Sequence, residues 1–487
     1  MMNRLLAALL FALLPLAAPA ANADDGDGAD AGAVLKRAAS AMGADALRTL
    51  HYYGKGSAWA FGQAFEPGKA WPKQNLSSYA RSIDYSTSAL REETARSRAE
   101  PTGGSALPHT GELRAIQYVA GRHAWNGTGP GAAAVPFAAA ARAHDLWTTP
   151  HGALKAAAQG HATVRWVREG KRELAAVSFG VPGTMEAVAY LDDAFLVERI
   201  ESRLPNPVLG DTRVVTRFEG YREHGAIRFP SRIRQEMGGH PVLDLEVLEV
   251  QPNARVEIEA PVAVIEAAQR VASQVVSKGV WMVGGGSHNS VLVEMKDHLV
   301  LLEAPLGDER TGAVLQAAQF LVPSKPVRTV VVTHAHFDHA GGLRAAAAAG
   351  AEILAHREAA PFLARALANP NTIAPDRLAA SGRKAKVTAV GDRHVLSDGE
   401  RSIELHLIRD SRHAKGFLMA YLPKAWLLVE ADAYTPVPGP APATPNPNHV
   451  NLVENLDRLK LHVERILPLH GRPVPREELD RAVGRTR

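Results

Sequence analysis

Polar and apolar positions alternate along much of the first half of the chain. Leu243, Leu245 and Val247 alternate with Asp244 and Glu246 behind a Gly238-Gly239 turn, the period-2 pattern of a strand with one buried face. Thr163–Val167 and Leu174–Phe179 flank a Glu169-Gly170-Lys171 turn, and Val188–Leu191 and Phe195–Ile200 flank Asp192-Asp193. Residues 47–250 therefore predict a mainly antiparallel β domain. Two stretches break the pattern and read as loops or short helices: 91–111, charged and then rich in Gly and Pro, and 128–143, rich in Ala, Gly and Pro. The acidic, Gly-rich stretch 24–32 reads as a flexible leader.

The pattern changes after Gln251-Pro252-Asn253. Val280–Val283, Val291–Met295 and Leu299–Leu302 read as strands, and Val314, Leu315, Ala318 and Leu321 take helical spacing. Val327–Thr333 is a continuous apolar strand, followed by an alanine-rich helix at 342–350 and a strand Glu352–Ala355. Strand, loop, helix, strand predicts an α/β layer structure. The expected division is a leader at 1–23, a β-rich domain at 24–255, an α/β domain at 262–475 and a tail at 476–487.

Composition narrows the function classes. The chain has 487 residues, a net charge of +4 and no Lys/Arg cluster, which argues against a nucleic-acid partner. Arg4, the apolar run Leu5–Leu16 and the small residues Ala21-Asn22-Ala23 have the layout of a secretory signal peptide, so the expected location is periplasmic or secreted. No other stretch approaches the roughly twenty apolar residues of a membrane span. There are no cysteines, so disulfides are excluded and any metal site must use His and carboxylates.

The candidate chemistry lies in His334-Ala335-His336-Phe337-Asp338-His339, at the end of the strand Val327–Thr333. In an extended loop His334 and His336 point the same way and can grip one cation, while Asp338 and His339 turn toward a second. Gly341-Gly342 lets the backbone pass close by before the helix begins.

This cluster resembles the His-x-His-x-Asp-His signature of the metallo-β-lactamase superfamily. The resemblance spans about residues 270–475 and implies an αββα sandwich. It assigns His413, in Arg412-His413-Ala414-Lys415-Gly416, as the third histidine of a first ion. It further implies Asp432 as the carboxylate bridging two ions and His470 as the last ligand of the second, with Glu303 ending an early strand. The implied ligand set is His334, His336, Asp338, His339, His413, Asp432 and His470. The implied cofactor is zinc, two ions per chain, with iron or manganese as alternatives. The implied reaction is attack of a metal-bridging hydroxide on the carbonyl of a small ester, thioester, lactone or similar substrate, a β-lactam included, with Asp338 as the catalytic group that orients it or relays a proton.

The interval from Asp432 to His470 holds only a Pro-rich loop and one helix, expected at 451–463. That leaves no room for the extra domain of the superfamily's nucleases. A bridging Asp is closer to the glyoxalase II and lactonase branches than to the true β-lactamases. One departure stands out: Arg412-His413-Ala414-Lys415-Gly416 replaces the usual Gly-His-Thr-x-Gly. The Pro-rich stretch 436–450 reads as a connector or as a stiff flap beside the site, with His449 capping the helix that follows. Farther upstream, the segment Phe218 to Pro230 resembles the strand–turn–strand repeat of lipoprotein-carrier half-barrels, which implies an apolar or acyl ligand on the N-terminal sheet. Two rival readings follow: an iron-dependent persulfide dioxygenase of the same fold, or an apolar-ligand binder with a secondary metal site.

Overall fold

The computed structural model describes residues 30–100, 103–104, 107–181, 186–268, 270–437, 439 and 444–485. The signal-peptide reading falls outside the described residues, as does part of the Pro-rich stretch. Among the described residues no helix is long and apolar enough to cross a membrane.

Thirteen antiparallel strands between Thr49 and Pro252 make one sheet. The first, Thr49–Trp59, lies inside the sheet, paired with Lys73–Asp84 on one side and with the last strand, His240–Pro252, on the other. From that centre the chain meanders to one edge and crosses through the helices Ala139–Trp147 and Pro150–Gln159. It resumes at the opposite edge, Thr163–Glu169, and meanders back.

Leader and loop expectations both need correction here. Residues 30–32 open a helix, Ala31–Met42, whose first turn is capped by the Asp30 carboxylate accepting from the Gly32 N–H. The charged stretch that begins at 91 lies within a strand, Ala89–Arg98, and not in a loop. Its even positions share one face, and cross-strand neighbours on the next strand pair Leu90 with Ile83, Glu92 with Arg81 and Arg98 with Gln74. That face is apolar at one end and polar at the other.

The apolar end carries the core. Val34, Met42, Leu146, Trp147 and Leu154 of the three helices join one buried cluster with Leu50, Ile83, Val177, Ile200 and Phe229 of the sheet. Each such side chain contributes about 1.5–3 kcal/mol relative to exposure. Over this region the sheet face is thus filled by the chain's own helices.

The second half forms two sheets packed face to face. A seven-stranded sheet runs from Ala272–Ser277 to Val387–Val390, and a six-stranded sheet from Arg393–Ser397 to Val474–Pro475. Alternation along single strands shows why their sequences read as unbroken apolar runs. Val300 and Leu302 face Leu405, Leu418 and Leu428 of the other sheet, while Leu299 and Leu301 face the helices Asp308–Leu321 and Leu343–Ala348. Leu452 and Leu456, from the helix Pro447–Leu459, cover the second sheet on its outer side. The layering is the expected αββα sandwich.

Two further boundaries differ from expectation. The helix expected at 451 begins at Pro447, with Pro in its first turn and Asn446, not His449, as the cap. Residues 476–482, expected as a tail, form the helix Arg476–Ala482. It buries Leu479 together with an Arg476–Asp480 ion pair of 2.9 Å.

Candidate metal centre

All seven expected ligands meet at one end of the sandwich, on loops that leave strand ends. His334 and His336 follow Val327–Val331, and His336, in extended backbone, opens the short helix Phe337–Ala340 that carries Asp338 and His339. Asp432 follows Leu427–Glu430 and His470 follows Arg465–Pro468. Those two strands pair in parallel, so both residues emerge at the same end.

The side chains fall into two groups. His334 Nε2 lies 2.9 Å from His336 Nδ1 and 3.1 Å from His413 Nε2, with all three residues buried. His339 Nε2 lies 3.2 Å from His470 Nε2 and 3.8 Å from Asp338 Oδ2. Asp432 stands between them. Its Oδ2 is 3.4 Å from His413 Nε2 and 3.5 Å from His334 Nε2, and its Oδ1 is 3.2 Å from His470 Nε2.

The far nitrogens are tied down from outside. Nδ1 of His339 meets the fully buried Glu303 at 2.8 Å, and the other oxygen of Glu303 accepts from the Thr333 N–H. Nδ1 of His334 contacts Thr333 Oγ1 at 3.0 Å, and Nδ1 of His470 contacts the Ser287 carbonyl at 3.2 Å. Such outer contacts fix ring orientation and leave the inner nitrogen for a cation.

The N-terminal domain supplies the rest of this shell. The Ala64 carbonyl meets His336 Nε2 at 3.2 Å, and Gln63 donates from Nε2 to Asp338 Oδ1 at 2.8 Å. The Phe337 N–H donates to the Gly62 carbonyl. A β-carbon at Gly104 would stand 2.2 Å from His336 Cε1, so only glycine fits there without displacement. Phe61 and Trp71 pack edge-on against Phe337, with ring centres 5.4 and 5.5 Å away. Lys415, at the variable position of the motif around His413, joins this docking: its N–H donates to the Phe65 carbonyl, and its Nζ pairs with Glu66 at 3.6 Å. Between the domains lies a cleft of about 730 Å³, lined by Arg96, Arg98 and His109 on one side and by Asp338, Asp432 and His470 on the other.

Electrostatics favour a cation. Burial, reinforced by the neighbouring imidazoles, holds His334 far below the usual histidine range and lowers His336 to about 3. Burial alone would raise Asp338 and Asp432, yet the charge of His339 holds both well below the usual carboxylate range. Burial would lower His339, yet Asp432, Asp338 and Glu303 raise it well above the usual histidine range, so a proton there balances carboxylates whose ionised form binds metal. Asp432 Oδ2 is buried and accepts no hydrogen bond, although His339 Nε2 is 2.8 Å away. Facing ring nitrogens about 3 Å apart match the edge of a tetrahedron about zinc, about 3.3 Å for Zn–N bonds of 2.0–2.1 Å. The donor set therefore fits the implied metal ions.

Sequence reasoning missed one group at the site. His288, which opens the strand His288–Glu294, is buried with Nε2 3.3 Å from Asp338 Oδ2. Its only local signal is a histidine one residue beyond the Gly284-Gly285-Gly286 run, after Ser287. Gln63 and Ala64 lie some 270 residues from their partners and carry no motif.

Residues 283–451 match the family model of the metallo-beta-lactamase superfamily. The match includes every expected ligand but His470. Among solved structures, a metallo-beta-lactamase from Pontibacter korlensis is 18% identical with a TM-score of 0.35, over 44% of this chain and 97% of that one. The metallo-beta-lactamase FIM-1 from Pseudomonas aeruginosa, in a mono-zinc form, is 19% identical with a TM-score of 0.34, over 44% and 93%. Comparison with curated proteins returned no match. The superfamily consists in general of metal-dependent hydrolases.

Proposed function

We propose that the chain is an exported, dinuclear metal-dependent hydrolase that cleaves an ester, thioester or lactone of a small molecule. The observation that carries this reading is Asp432, which stands between the two groups: its Oδ2 faces His413, His334 and His339, and its Oδ1 faces His470. His334, His336 and His413 would hold one ion, and Asp338, His339 and His470 the other, with Asp432 shared. Divalent zinc in such a pair supplies water activation near neutral pH and polarisation of a carbonyl oxygen.

The chain's own residues do the positioning. Glu303 fixes the His339 ring, and Thr333 fixes His334. Asp338 uses Oδ1 to accept from Gln63, which orients the carboxylate so that Oδ2 faces the second group and can take the proton of an attacking water. The cleft floor is built by the sandwich and its roof by the β domain, so substrate is bound between them and bulk water is restricted. A persulfide dioxygenase needs one iron held by two His and an Asp, and the second buried group argues against it. Packing of the helices on the apolar end of the sheet argues against the apolar-ligand reading.

Metal analysis should find about two ions per chain, with turnover of carbonyl substrates. Asp432→Ala should lose about one ion and several kcal/mol of transition-state stabilisation, on the order of 10³–10⁴-fold in kcat/KM. Full metal content and turnover in that variant would show that the wrong carboxylate has been assigned. A single iron with oxygen consumption would replace the hydrolase reading by the dioxygenase one.

A further inference from the structure

We infer that His288 is a direct ligand of the second ion, beside Asp338, His339 and His470. This rests on the dinuclear reading above. Ligand atoms of His288, Asp338, His339 and His470 all lie within 4.8 Å of one another, which makes a four-residue group separate from His334, His336 and His413. The His288 ring centre is 4.1 Å from that of His470 and 5.1 Å from that of His339. Ser287 Oγ contacts Nδ1 at 2.8 Å, so the other nitrogen, Nε2, is the one presented to the cluster.

The backbone explains why the ring can reach. His288 pairs with Gly285 across a tight hairpin, and Arg310 anchors both ends of the turn by donating to the carbonyls of Gly285 and His288. Asn289 then ties the same turn to the His470 loop, donating from its side chain to the Gly471 carbonyl at 2.8 Å and from its N–H to the Leu469 carbonyl. His288 and His470 are thus held on one rigid unit. A lone ring nitrogen facing an ionised carboxylate at 3.3 Å is unfavourable unless a proton or a cation lies between them.

The alternative is a histidine that merely hydrogen-bonds Asp338. Two variants of the full chain separate these roles. His288→Gln keeps an N–H that can donate to Asp338 but removes the imidazole. His288→Cys introduces the chain's only cysteine, so any thiolate-to-cobalt charge-transfer band in the near ultraviolet must arise from position 288. We expect that band when the Cys variant is loaded with cobalt(II). We also expect His288→Gln to bind the second zinc at least about a hundredfold more weakly, beyond the 10–100-fold typical of outer contacts. Two cobalt ions without the band, together with wild-type zinc affinity in His288→Gln, would overturn the assignment and leave the dinuclear reading intact. Fewer than two ions in the unmodified chain would overturn that reading itself.

Discussion

The molecule contains two buried polar clusters that answer their charges in opposite ways. In the β domain Arg81 meets Glu92 through both Nε and Nη2 and faces Asp145 at 3.7 Å, while Tyr79 donates its hydroxyl to Glu92 at 2.8 Å. Burial would raise Glu92, yet Arg81 and then Arg96 hold it below the usual carboxylate range. Donors face acceptors throughout. At the sandwich end, ring nitrogens face ring nitrogens, and a buried carboxylate oxygen accepts no hydrogen bond. The first cluster is complete as it stands, whereas the second is completed by cations. Both contain His or Arg beside Asp or Glu, so composition does not distinguish them. The pairing of like with like does.

Breaking the complete cluster should give the largest effect on stability. Glu92→Ala leaves Arg81 buried with a more distant partner, and removing one member of a buried pair costs about 3–5 kcal/mol. Denaturant unfolding should register that loss, while metal content measured under folding conditions stays at the wild-type value. A loss of metal without a loss of stability would mean that the two clusters are not separable.

A smaller effect is expected from pH. His151 is fully buried against Phe229, with Nε2 3.1 Å from the Met42 carbonyl and Nδ1 without a partner. Burial lowers it to about 4, with Lys155 adding to the shift and the Met42 carbonyl opposing it. The unfolded chain takes up this proton near pH 6.5 and the folded one only near 4, so the fold favours the neutral ring. Its contribution is complete above about pH 6.5 and is lost as pH falls toward 4, by about 3 kcal/mol in all. His151→Gln should flatten stability against pH across that window. An unchanged slope would place the acid sensitivity elsewhere.

What the sequence revealed and what it hid follow the same division. His334, His336, Asp338 and His339 sit within six residues, so local spacing alone places them. His413, Asp432 and His470 each follow an apolar strand, which keeps them legible through the order of the family's motif. His288 reaches the site only through a hairpin anchored by Arg310, a contact with no sequence spacing of its own. The strand Ala89–Arg98 was obscured because Glu92 and Arg96 are charged residues on an inward face, where period-2 reading expects apolar ones. The last helix was obscured likewise, since Arg476 and Asp480 are buried as a pair.

The smallest effect tests whether the two regions are one machine. Gln63 belongs to the turn after the first β strand, yet its amide holds Asp338 at 2.8 Å. The same turn holds His336 through the Ala64 carbonyl and Phe337 through the Gly62 carbonyl. Outer contacts of this kind are worth about 10–100-fold in metal affinity or activity, and one neutral amide should lie at the low end. Gln63→Ala should therefore lower kcat/KM about tenfold and weaken the second ion, with the unfolding transition unmoved. Gln63→Glu is the sharper probe. It sets two carboxylates at hydrogen-bond distance, which cannot both ionise without cost and must share a proton. Its deficit should therefore deepen as pH rises through the titration of that pair, a dependence that Gln63→Ala lacks. Wild-type metal affinity and kcat/KM in both variants would mean that the β domain only leans on the centre. A tenfold loss in the first and a pH-dependent loss in the second would make the turn at residues 62–64 part of the site.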